Sequence, residues 1–370
     1  MIVRCCFIVT LSLVTTVSSD VSPPLATALN KTDSLDLLFE DYFQWKLRSY
    51  PEWASKKGFK GYNHLLEDFS IESIRHKAEQ CREFLERSKN LTAKNSNYRS
   101  YQQVFQAEVR PCAEGLQYKA YLLPPVVDNL FESVQKAWPR MVEDTELDSI
   151  RDYEDLLDRI SLIPTRLDEI ILLLKTGVRE GITFARESID GVDEQLEKLQ
   201  VDPEESVFYS HFRDMPGSLG RHVVDRIQQS SFNLTKNGIL PGFRKLQEFL
   251  RYEYSPHLRQ SPGILNIPNG DKFYRAALKS YGVDYDPEEL MKLGEEEVAA
   301  LHENVLDLVK QQGLNMTFIE FSNHLRDDPK QKFTSKAEAL DTYKRIIKTI
   351  ADHVTKVFPA DLITGLSIVE

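Results

Sequence analysis

Apolar residues recur at intervals of three and four through almost the whole of this chain, a spacing that suits one face of a helix and little else. Leu35, Leu38, Phe39, Tyr42 and Phe43 fall at i, i+3, i+4, i+7 and i+8, with Asp33 or Ser34 as the cap and Pro51 as the stop. A second helix begins at Ser70, and residues Asn95 to Tyr121 give another amphipathic stretch. Ile150–Ile160 and Leu167–Leu174 read as a pair broken at Pro164, with Leu167, Ile170, Ile171 and Leu174 on the buried side. Asp286-Pro287-Glu288-Glu289 is a capping box with proline at the first helical position. It predicts a helix to about Gln312 with Leu290, Leu293, Leu301, Val305 and Leu308 as its core stripe. Ser335 to Glu338 is a second capping box, opening a helix through Leu340, Tyr343, Ile347, Ile350, Val354 and Val357 to Pro359. Strand signals are thin: Ile264 to Ile267 suits a short extended piece, and Asp361 to Val369 suits the start of another. No repeat, low-complexity block or long linker divides the chain, so residues 20–370 are expected to form one large all-α, multi-helix domain.

The one long interruption is a turn-rich connector at residues 254–274. It runs from Tyr254 through Pro256, Arg259, Pro262-Gly263 and Pro268-Asn-Gly270 to Tyr274. Closely spaced Pro and Gly turns impose a fixed, irregular backbone path, and loops held that way between rigid elements often carry function.

Residues 1–19 have the form of a secretory signal peptide, with Arg4 as the positive end, an apolar run from Cys5 through Val14, and Val17 and Ser19 as small residues before the cleavage point. The run is shorter than the roughly 20 residues that span a bilayer, so no membrane attachment is expected after cleavage. The address is extracellular, with the lysosomal lumen as the alternative. Four sequons, at Asn30, Asn90, Asn233 and Asn315, suit that route, and at least two are expected to carry glycan. Loss of the signal leaves Cys81 and Cys112, an even pair that oxidising surroundings would join as a disulfide between neighbouring helices. The whole chain carries a formal charge of −11, and removal of Arg4 with the signal takes it to −12. So acidic a surface repels phosphate backbones and argues against nucleic acid as a partner.

A complete catalytic set is not legible. His302-Glu303 begins the H-E-x-x-H pattern that places two zinc ligands on one helix face, but the position of the second histidine is Leu306. Ser218, between His211 and His222, lacks the glycine of a nucleophile elbow because position 216 is proline; the segment reads as a turn with Ser218 capping the next helix. Gly177 and Gly181 do not form a phosphate loop, and Glu295-Glu296-Glu297 reads as a solvated helix face.

From about residue 35 to 360 the chain resembles the domain-of-unknown-function 885 family, helical proteins akin to zinc carboxypeptidases. The resemblance rests on the order and spacing of several phrases: Tyr50-Pro51-Glu-Trp-Ala with Gly58, Leu66-Glu-Asp68-Phe-Ser70, and Gly177-Val-Arg-Glu-Gly181-Ile-Thr. It continues with Phe249 through Tyr254, Pro256, Arg259, Gly263, Pro268, Gly270 and Tyr274, then Asp286 to Leu290, and Phe333 to Pro359. It implies a metal-dependent peptidase in which a helix bearing H-E-x-x-P-G-H-H holds zinc and a glutamate base. None of the three Pro-Gly pairs here precedes two histidines, so no catalytic or metal residue and no cofactor is expected in this chain, although zinc is expected in full-length relatives. What the resemblance leaves is a helical cleft wall to which Tyr254, Arg259 and Tyr274 are candidates, the arginine suited to a peptide carboxylate; pinning the connector is the other reading of all three. Three functional expectations follow. The chain is a truncated, inactive form of a secreted zinc peptidase; or a genuine short glycoprotein that binds peptides or a protein partner without cleaving them; or an enzyme whose site is hidden. A truncated form would also expose an unusual amount of apolar surface.

Overall fold

Fifteen α-helices, joined by short turns of 3₁₀ and π helix, make up the described residues (34–124, 133–354 and 356–358) of this computed structural model; no strand occurs among them. The all-α expectation is met. The signal peptide, Asn30 and the extended piece expected at 361–369 lie outside the described residues. The described residues divide into two compact units, one ending at Tyr285 and the other beginning at Asp286.

The first unit begins with α1 (Leu35–Ser49) and α2 (Pro51–Lys56), then α3 (Ile71–Asn90) and α4 (Ser96–Glu114). Of the two expected caps of α1, Ser34 acts, accepting the Leu37 N–H; Ser70 and Asn95, where the next helical stretches are expected to begin, accept the N–H groups of Ser73 and Tyr98. Pro51 does not simply end α1 but opens α2, where its missing N–H costs nothing. Leu35, Leu38, Trp45, Phe84, Phe105 and Val109 form one core between α1, α3 and α4, with the Tyr42 ring edge-on to Phe84 and Phe105 at 5.4 and 5.1 Å. Cys81 on α3 and Cys112 on α4 are joined as a disulfide inside that core.

The larger core lies among α5 (Val134–Glu143), α6 (Ile150–Ser161), α7 (Ile163–Glu180), α8 (Val192–Glu197), α9 (Val207–Arg213), α10 (Arg221–Leu234) and α11 (Leu240–Glu248). The predicted stripe Leu167, Ile170, Ile171 and Leu174 is buried in it. From Arg221 to Tyr254 the backbone is one helical rod with two π-helical turns, Thr235–Ile239 and Phe249–Tyr254. The first precedes Pro241, which has no N–H to continue an α-helical ladder. At Gly242 the rod comes so close to α7 that a Cβ would stand 2.9 Å from Leu167 Cδ1. Ser218 does not cap the rod: it sits in a 3₁₀ turn (Gly217–Leu219), and Gly220, at φ +93°, is the residue before Arg221. A left-handed entry of that kind suits glycine and leaves serine no capping geometry.

The connector is shorter than its composition suggests. Tyr254 ends the π turn, 3₁₀ turns follow at Ser255–His257 and Ile264–Asn266, and α12 (Gly270–Ser280) already begins at Gly270, so Tyr274 is helical. Ile264–Ile267 is therefore a turn rather than an extended piece, and the local reason is Gly270. A Cβ there would lie 2.1 Å from the Ile264 carbonyl oxygen, so the chain doubles back tightly enough to exclude an extended path.

In the second unit, α13 (Pro287–Gln311) and α15 (Lys336–Val354) follow their predicted caps, Asp286 accepting the Glu288 N–H and Ser335 the Glu338 N–H; between them α14 (Phe318–Asp327), not expected from the sequence, is capped by Thr317. The expected core stripe of α13 behaves differently. Leu293, Leu301 and Leu308 are 38%, 60% and 58% exposed, and Val309 alone among the large apolar residues described here is buried.

Closing a loop of 31 residues, the cross-link removes about 3–4 kcal/mol of denatured-state entropy. A Cys81→Ser, Cys112→Ser double variant is expected to lose stability of that order in urea titrations. A loss below about 1 kcal/mol would show that the denatured chain is already restrained near this pair.

Candidate functional site

The connector is held by the chain that leaves α7. Gly181, at φ +70°, ends α7 in a left-handed cap, and the Ile182 N–H bonds back to the Gly177 carbonyl at 2.8 Å. Residues 182–186 then run beside 257–259. The Arg259 N–H donates to the Phe184 carbonyl (2.9 Å) and the Arg186 N–H to the Arg259 carbonyl (3.2 Å), an isolated parallel bridge. The Thr183 hydroxyl donates to the His257 carbonyl at 2.8 Å.

Two of the three candidate cleft residues meet in this clamp. Tyr254 is fully buried, with its hydroxyl accepting the Phe184 N–H at 2.8 Å; burial pushes its pKa up to about 12. The Arg259 guanidinium donates to the Thr183 carbonyl through Nε (2.6 Å) and to the Ser261 and Gly263 carbonyls through Nη1 (3.1 and 2.6 Å). Its burial lowers the pKa from the usual arginine range. Both side chains thus satisfy backbone groups that the irregular path would otherwise leave without partners. Tyr274 stands on α12, half-buried, and takes no part in that network.

On the outer side of the π turn lies an open pocket of about 390 Å³, lined by Leu172, Lys175, Val178 and Arg179 of α7 and by Phe249, Glu253 and His257. Lys175 Nζ is 3.0 Å from Glu253 Oε2 and 5.2 Å from the centre of the Phe249 ring. Arg179 donates to the Thr176 hydroxyl at 2.9 Å, a neutral partner that leaves its charge uncompensated there. An apolar wall beside two cations and one carboxylate suits an anionic group carried on an apolar body, and the volume is that of a small ligand or one or two peptide side chains. Sequence reasoning missed this site. Its signal was Leu172, which lies off the predicted buried stripe and is 51% exposed, with Lys175 and Arg179 at i, i+4 beside it.

A second hollow, of about 310 Å³, is lined by residues that include Trp45, Glu67, Asp68, His76, Lys77 and Gln80. Here the polar groups hold the loop between α2 and α3. Lys77 pairs with Glu67 at 2.7 Å, and the Trp45 indole donates to Gln80 at 2.7 Å. Nearby, buried Arg159 donates to the Leu65 and Tyr62 carbonyls and the Ser55 hydroxyl at 2.6–2.7 Å. Burial draws the Arg159 pKa down to about 10 and raises that of Glu52, which accepts the Glu67 N–H.

Among the described residues no group of three or more His, Cys, Asp or Glu side chains could hold a metal ion. His302 is exposed on α13 with its ring 5.2 Å from that of Phe318. His211 bonds to the Val142 carbonyl at 2.8 Å. The described residues therefore do not fit the zinc that the resemblance implies for full-length relatives. No described helix is long and apolar enough to cross a membrane.

Clamp, pocket and helical layers define an all-α protein with a rigid irregular connector beside a cation-flanked groove. The chain belongs to the family described as "Bacterial protein of unknown function (DUF885)", which matches residues 51–367. It is also similar to a solved structure described as the "putative lipoprotein from Colwellia psychrerythraea". The TM-score is 0.70 at 17% identity, over 87% of this chain and 59% of that one, so this chain spans about three-fifths of the length of that relative. No curated protein sequence matches it.

Replacing Tyr254 by Phe removes the acceptor of a buried N–H and is expected to cost about 1–3 kcal/mol in denaturant titrations. Tyr50 and Tyr254 both titrate near 12 when folded, against 10.0 in a free side chain. Below pH 10 both states hold these protons, so neither group makes stability depend on pH; above pH 10 the unfolded chain ionises first, and stability is lost as pH rises toward 12. Urea midpoints at pH 9 and pH 11.5 should differ accordingly, and by less in the Tyr254→Phe variant.

Proposed function

We propose that this chain is the peptide-binding helical part of a secreted, metallopeptidase-like glycoprotein, and that its own described residues carry no hydrolysis. The observation that carries the reading is the pocket at the π turn, where Lys175 and Arg179 flank the apolar wall of Leu172, Val178 and Phe249. A peptide ending in an apolar residue presents that combination of anion and apolar body. Arg179 would take the terminal carboxylate and Phe249 the side chain, while Glu253 keeps Lys175 in place. π-Helical turns are found disproportionately at functional sites, which also supports placing the function here. The peptidase-like frame rests on the sequence resemblance to helical proteins akin to zinc carboxypeptidases, and the similarity to a protein described as a putative lipoprotein is consistent with an address outside the cytoplasm.

Glycan at Asn90 and Asn315 fits the same address. Asn90 is exposed at the end of α3 and Asn315 in the turn before α14, whereas Asn233 lies within α10 and its sequon partner Thr235 is fully buried. Mass spectrometry after enzymatic deglycosylation is expected to find modified Asn90 and Asn315, with Asn233 unmodified.

The binding reading is tested by fluorescence anisotropy with a labelled hexapeptide ending in leucine. The free-acid form should bind at least fivefold more tightly than the C-terminal amide, and Arg179→Ala should remove that difference without cleavage in either case. Equal affinity for acid and amide overturns the pocket assignment. Stoichiometric zinc with chelator-sensitive hydrolysis by this chain overturns the statement that it carries no catalysis.

A further inference from the structure

The second unit leaves its helices uncovered in a regular way. On α13, Met291, Val298, Leu301 and Leu308 are 65%, 67%, 60% and 58% exposed, at intervals of seven, three and seven. That is the spacing of a coiled-coil seam, in which apolar residues seven apart, with one between, meet a facing helix. Tyr343 and Ile350 of α15, again seven apart, are 55% and 52% exposed. The positions flanking this seam are where α13 meets its neighbour: Val309, next to Leu308, is buried, and His302, next to Leu301, meets Phe318 of α14. Long helices draw most of their stability from burying an apolar face, so two exposed seams in one unit call for a partner.

The charges say which partner suits them. Helix α13 carries seven acidic and two basic side chains, whereas α15 carries three acidic and four basic. Two copies of α13 would repel one another, while α13 of one copy and α15 of another attract. Such an exchange is self-complementary under a two-fold axis, so both contacts form twice. Six half-exposed large side chains at roughly 100 Å² each, with the flanking aliphatic stems of lysines, bring each copy near the ~800 Å² of one side of a standard interface. We infer that the exposed seams of α13 and α15 form a homodimer interface, α13 of one copy lying on α15 of a second copy.

Sedimentation equilibrium of the purified secreted chain tests this. The expected result at micromolar concentration is twice the mass of one chain. Leu301→Glu and Ile350→Glu should each return the chain to monomer with unchanged far-UV circular dichroism, because both sites are exposed. Val104→Glu on α4, equally exposed at 66%, should leave the dimer intact. A chain that is monomeric at 50 µM overturns the inference, even if it binds hydrophobic dye, since the seams would then be covered by something other than a second copy. A dimer that survives both seam variants overturns it as well.

Discussion

Two irregular segments, 182–186 and 255–263, satisfy each other's backbone hydrogen bonds, and the geometry of the larger core around them depends on that exchange. A helix closes its own ladder and needs only an apolar face, but the chain leaving α7 and the chain leaving the π turn have no such ladder. They are held by an isolated parallel bridge and by three side chains, Thr183, Tyr254 and Arg259, whose polar atoms reach backbone groups. With the clamp in place, α7 and the rod ending at Tyr254 keep a constant separation, and the pocket between their outer faces has a defined shape.

Buried polarity elsewhere follows the same logic. Arg159 and Glu52 sit inside the protein because the loop between α2 and α3 offers carbonyl and N–H groups that need partners: Arg159 answers the Leu65 and Tyr62 carbonyls, and Glu52 the Glu67 N–H. Such groups are well satisfied and therefore poor candidates for chemistry. The cations of the pocket differ. Lys175 has a carboxylate partner, but Arg179 meets only a hydroxyl, so charge remains available to a ligand. That contrast between charges consumed by the fold and charges left over singles out the pocket without reference to any relative.

Much of the architecture was legible. The caps at Ser34, Asp286 and Ser335, the helix starts near Ser70 and Asn95 and the stripe on α7 could be read directly, because capping and periodicity act within one or two turns of the residue concerned. The paired cysteines were legible for a chemical reason, and the disulfide joins the two helices of the first core. The failures share another cause. Ser218 loses the cap to Gly220 because a left-handed residue stands at the helix entry, and Ile264–Ile267 curls because Gly270 lies against it. Neither contact could be seen in the local pattern. Tyr254 and Arg259 were recognised as a pair of interest, but burial directs both toward the backbone, and the residues that line the groove, Leu172, Lys175 and Arg179, passed as an ordinary helix surface.

The sequence by itself determined an all-α chain, the starts of its best-capped helices, its acidic charge and its cross-link, since all of these follow from periodicity, capping and composition. Only the tertiary structure decided which polar side chains are consumed by the backbone, where a groove opens, and which apolar stripes find no cover. The stripe of α7 is buried and that of α13 is exposed, although both have helical spacing. Amphipathic spacing says that a face wants to be buried; what arrives to bury it is settled by neighbours distant along the chain.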